Sequence, residues 1–66
     1  RTVDLAIYNA LGQKVRQLLL REQAAGRYQV TWDGRDEQEI DLASGIYLLS
    51  LRAGALHSAQ KILLLR

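Results

Sequence analysis

Three turn signatures cut this chain into short apolar pieces: Asn9-Ala10-Leu11-Gly12-Gln13, Trp32-Asp33-Gly34 and Ser44-Gly45-Ile46-Tyr47. Asn, Asp and Gly accept the left-handed backbone that a tight reversal requires. The segments between them are short, rich in Leu, Ile and Val, and largely alternate apolar with polar residues. That period of two is the pattern of strands with one buried face, so the layout points to a small antiparallel β-sandwich.

Val3, Leu5 and Ile7 alternate with Thr2, Asp4 and Ala6, which predicts a first strand over residues 2–8 and a hairpin over 9–13. Residues 14–25 are ambiguous. Val15, Leu18, Leu19 and Glu22 fit a helical stripe and Gly26 could cap it. The strand-like neighbours and the short turn after strand one favour an antiparallel strand instead. A bulge near residues 17–19 would bring Val15 and Leu18 to one side.

Tyr28, Val30 and Trp32 alternate with Gln29 and Thr31, predicting a strand over 27–32 with Trp32 at the centre of the core. Residues 33–41 read as a polar, acidic loop joining one sheet to the other, with Ile40 and Leu42 tucked beneath it. Residues 46–52 present Tyr47, Leu49 and Leu51 on one face and Ile46, Leu48 and Ser50 on the other, as a central strand would. A hairpin over 53–57 leads to a last strand over 60–65. There Ile62 and Leu64 point inward and Lys61 outward, which leaves Leu63 and Leu65 exposed. With no internal repeat or linker, residues 1–66 read as one unit.

At 66 residues with no cysteine, the chain must hold itself together by one small core without disulfide staples. The apolar share of 48% argues against a disordered tail. No apolar run approaches the roughly 20 residues of a membrane helix, and residues 1–4 lack a signal-peptide core, so any export signal is expected to lie upstream. The net charge of +2 is spread over single basic residues such as Arg35 and Arg52, which does not form a nucleic-acid footprint.

The polar residues offer no catalytic or cofactor constellation. Asp33, Asp36, Glu37, Glu39 and Asp41 crowd the acidic loop but lack the EF-hand spacing, so they read as solvated, with Asp33 accepting bonds from its own turn. His57 is the single histidine and reads as a loop residue rather than a zinc ligand. Ser44, Asp41 and His57 have no nucleophile elbow or oxyanion motif beside them. Tyr8, Tyr28, Tyr47 and Trp32 could line a carbohydrate platform, but core packing is the commoner use of such residues. The expectation is a protein that is not an enzyme and has no metal, cofactor or small-molecule substrate.

Four motifs occur in order: Val3-x-Leu5-x-Ile7-Tyr8-Asn9-x-x-Gly12-x-x-Val15-x-x-Leu18, Ala25-Gly26-x-Tyr28-x-Val30-x-Trp32-Asp33-Gly34-x-Asp36, Ala43-Ser44-Gly45-Ile46-Tyr47, and Lys61-Ile62-x-Leu64 with Arg66. Together they resemble the bacterial C-terminal Ig-like module, a group that includes type IX secretion sorting domains and the Ig-like domain of flagellar hook-capping proteins. The resemblance implies an all-β Ig-like sandwich of about five strands at the end of an exported protein. It further implies a non-catalytic sorting and surface-attachment role, read by a secretion translocon or sortase-like machinery, in a protein secreted to or held at the surface of a Gram-negative bacterium. Gly45, Tyr47, Lys61 and Arg66 match the family's terminal motifs and are the binding residues it implies. Lys61 and Arg66 serve equally well as edge charges that discourage promiscuous pairing.

The chain departs from the family pattern in two ways. It has no proline, although the family usually opens with a Pro-Asn-Pro segment and a further strand, so one or two N-terminal strands are expected to be missing. Strand addition from the parent protein or another chain could fill such a gap. The sequence Trp32-Asp33-Gly34-Arg35-Asp36 is also as frequent in structural accessory members as in sorting signals. The alternative function is therefore a structural Ig-like domain of an extracellular or flagellar assembly.

Overall fold

A computed structural model of the chain describes residues 2–22 and 30–66. The fold is all-β. Its strands are β1 (Thr2–Tyr8), β2 (Lys14–Glu22), β3 (Gly45–Ala53) and β4 (Leu56–Leu64). Among the described residues they make one antiparallel sheet in the order β2-β1-β3-β4.

The β1–β2 hairpin follows from Asn9. Its side-chain oxygen accepts from the backbone N–H of Leu11 at 3.0 Å and of Gln13 at 2.9 Å, and its own N–H donates to Gln13 O at 2.9 Å. Gly12 supplies the left-handed residue at φ 82°. The segment that wavered between helix and strand is β2. Its pairing with β1 slips twice, at Leu18 and at Val15. The slip at Leu18 is the bulge expected near residues 17–19, and each one resets which residues face the core. The side chain of Gln17 bridges the first slip, donating to Asp4 Oδ1 at 2.6 Å, Leu5 O at 3.1 Å and Leu19 O at 3.0 Å.

β3 is central, as its two apolar faces imply, lying between β1 and β4. Val3, Leu5 and Ile7 stand opposite Ala53, Leu51 and Leu49, and Tyr47 opposite Ile62, so these residues share one face. Trp32 and Gly34 of the loop before β3 lie against that face, beside Tyr47 and Leu64. Ile7, at 0% exposure, is the one large side chain fully buried among the described residues, with Ala6, Tyr47 and Ala53 also buried. Ile62 and Leu64 are half-buried while Leu63 and Leu65 are exposed, as the alternation requires.

Four expectations need correction. In the strand expected over 27–32, residues 27–29 lie outside the described residues, and Val30, Thr31 and Trp32 belong to none of the strands among the described residues. The Trp32 indole donates to Arg35 O at 3.0 Å, which ties the end of this segment to the following turn. Trp32 is half-buried at the margin of the core rather than its centre. Ile40 is 61% exposed because the loop folds on itself instead of over it. His57 belongs to β4, since the hairpin needs only Gly54 and Ala55, with Gly54 at φ 61° in the first turn position.

Candidate functional site

The loop 33–42 is a small ribbon with bonds of its own. Leu42 N–H donates to Gly34 O and Asp36 N–H to Ile40 O, both at 3.0 Å, around an isolated bridge between Arg35 and Asp41. Asp33 accepts from Arg35 N–H at 3.0 Å, as its turn position implies. Asp36 accepts from the N–H groups of Gln38 at 2.9 Å and Ile40 at 3.0 Å, while Glu39 takes the left-handed conformation at φ 62°.

Two cations tie this ribbon to the sheet. Arg16 of β2 donates to Asp36 O at 2.8 Å, and Glu37 accepts from the Gln17 backbone N–H at 2.6 Å. At the other end Arg66 donates through Nε to Leu42 O at 2.7 Å and through Nη2 to Gly34 O, with Asp41 3.5 Å from the same guanidinium. Its backbone N–H donates to Ser44 Oγ at 3.0 Å. The acidic loop is thus held by hydrogen bonds and ion pairs. Among the described residues no group of three His, Cys, Asp or Glu side chains is placed to hold a metal.

The structure gathers three of the four residues singled out by the sequence at one end of the sheet. Gly45 and Tyr47 begin β3, opposite Leu64 and Ile62, and Arg66 follows β4 beside Ser44. Tyr47 is 7% exposed, its hydroxyl donates to Ala43 O at 2.6 Å, and its ring meets that of Trp32 edge-on at 5.5 Å. Lys61 stands apart. It lies opposite Leu48, on the face turned away from the loop, and is exposed. On that face Ile46, Leu48 and Leu63 are 50%, 40% and 61% exposed.

Sequence reasoning missed Gly34 as a packing residue. It is buried, and a Cβ there would come within 2.7 Å of Arg66 Nη2 and 3.1 Å of Leu64 Cδ1. The pairing of Gly34 with a residue 32 positions away leaves no local signal in the sequence. Among the other polar groups, His57 Nε2 lies 3.5 Å from Ser50 Oγ in an exposed cross-strand contact. A shallow, open hollow separates the turn at 9–11 from residues 44–47, so the first and third turn signatures meet in space.

A family model described as the FlgD Ig-like domain matches residues 1–55. Gly45 and Tyr47 fall inside the match, and Lys61 and Arg66 beyond it. No curated protein and no solved structure gives a significant match.

Proposed function

The chain belongs to the FlgD Ig-like domain family, and on that premise we propose that it is a non-catalytic structural module of an extracellular or flagellar bacterial assembly. The family match over residues 1–55 carries this reading. The site chemistry agrees with it. Arg66, Asp41, Asp36 and Glu37 spend their polar groups on holding the loop 33–42 to the sheet, as suits a spacer whose loop is strapped in place. In this reading the module sits outside the cytoplasm, and Arg66 and Tyr47 are structural.

The related sorting function assigns Gly45, Tyr47, Lys61 and Arg66 to contacts with a secretion translocon or sortase-like enzyme. It rests on the sequence motifs alone. Fusing the module behind a signal peptide and a reporter in a bacterium with type IX secretion separates the two functions. The structural role predicts an uncleaved fusion retained in the periplasm. Delivery of the reporter to the surface with removal of the module would overturn it in favour of sorting.

A further inference from the structure

The two edges of the sheet are built differently. β2 carries Lys14, Arg16, Arg21 and Glu22, is broken by two slips, and has the Gln17 N–H occupied by the Glu37 carboxylate at 2.6 Å. Charges, bulges and capped backbone groups are the means by which an edge strand resists the addition of another strand. Among the described residues β4 shows none of these except one lysine, Lys61. It pairs with β3 over nine consecutive positions without a slip, and among the described residues it makes no backbone hydrogen bond beyond that ladder. Every second residue of β4 therefore directs its N–H and C=O away from the sheet.

We propose that this outer edge is a dimerisation surface at which a second copy of the chain adds antiparallel, β4 against β4. The strand is complementary to itself in one register. With the two-fold axis at Gln60, all nine residues pair. Leu56 then faces Leu64 of the second copy, Ser58 faces Ile62, His57 faces Leu63, and Ala59 faces Lys61. No like charges stand opposite one another. Moving the axis one position to Lys61 would set that lysine against itself, and moving it to Ala59 would set Lys61 against His57 and leave two residues unpaired, so pairing length and charge together select the register. The pairing also gives a cross-strand neighbour to Leu56 and Leu63, which are 55% and 61% exposed in the single chain. Eight strands then form one continuous sheet, and the bulged β2 strands become its only edges among the described residues.

The inference stands on the sheet edge and is independent of the flagellar or sorting role, so its failure leaves that role untouched. Sedimentation equilibrium of the full chain from about 10 µM to about 1 mM tests it, with circular dichroism confirming that each variant keeps its strands. A reversible monomer–dimer equilibrium is expected. Gln60→Lys and Gln60→Glu, each placing like charges at the axis, should weaken it at least about tenfold. Mixing the two variants in equal amounts should restore association through the heterodimer. Leu20→Lys on the exposed face of β2 should leave it unchanged. A chain that stays monomeric at the highest concentration, a dimer as tight in Gln60→Lys as in wild type, or a mixture no better than its components overturns the proposal.

Discussion

Replacing Gly34 by alanine tests the strap between the loop and the end of β4. Two separate costs arise. Gly34 sits at φ 77°, and holding an L-residue in the left-handed region costs about 1–2 kcal/mol. The new Cβ would also lie 2.7 Å from Arg66 Nη2, well inside van der Waals contact. The guanidinium is the far end of a flexible side chain, so it withdraws and gives up its bond to Gly34 O. The bond to Leu42 O at 2.7 Å weakens with it. For a charged donor that is 36% exposed, this loss is about 1 kcal/mol. The total for Gly34→Ala is therefore about 2–3 kcal/mol. That is a large share of the roughly 3–5 kcal/mol that a core of this size supplies.

Urea unfolding followed by Trp32 emission reads the change directly, since the indole packs against Tyr47 and bonds to Arg35 O within the same loop. Arg66→Ala alone should cost about 1 kcal/mol. In the Gly34→Ala background it should cost much less, because one of those hydrogen bonds is already lost and the other weakened, which gives a coupling energy approaching about 1 kcal/mol. The reasoning fails if Gly34→Ala stays within about 0.5 kcal/mol of wild type, or if Arg66→Ala adds its full cost on top of it.

Two further predictions concern the sheet itself. Ile7→Ala removes the one large side chain that is fully buried among the described residues and should cost about 2–4 kcal/mol in the same urea assay; a loss below about 1 kcal/mol would place the core elsewhere. Gln17→Ala strips the Leu18 bulge of its bridging amide and should cost about 1–2 kcal/mol while speeding amide exchange on either side of the slip. Gln17→Glu should be worse than alanine, because it sets a carboxylate against that of Asp4, and equal stability of the two variants would rule out the bridge.

Much of the fold was legible because it follows from local pattern. The alternation in Val3, Leu5 and Ile7, the two-faced run from Ile46 to Ser50, and the inward Ile62 and Leu64 each define a strand and its buried side through side-chain period alone. Asn9 and Gly12 announce the first hairpin, and Asp33 its own turn, because each solves its backbone problem within a few residues. Even the bulge in β2 was visible, as a conflict between the spacing of Val15 and Leu18 and a regular strand. What pattern could not give was the fate of the segment ending at Trp32. Its alternation is as good as that of β1, yet Val30, Thr31 and Trp32 form no strand, and the Trp32 indole bonds to Arg35 O in the following turn.

The candidate site divides in the same way. Gly45, Tyr47, Lys61 and Arg66 were picked out by motif, and three of them meet at one end of the sheet. Their contacts were not legible. Tyr47 turns out to bond to Ala43 O and pack against Trp32, and Arg66 to reach back across the sheet to Gly34 and Leu42.

By itself, then, the sequence determined that this chain forms antiparallel strands, where most of them turn, and which side of each is apolar, because those properties depend on neighbours one to four residues apart. The tertiary structure decided which strands become edges, that the acidic loop is strapped by Arg16 and Arg66, and that Arg66 and Leu64 close in on Gly34. The strap and the Gly34 contact depend on groups 20 to 32 positions apart, and the edges on a β1–β3 pairing of residues 40 to 50 apart, distances that exist only once the chain has closed on itself.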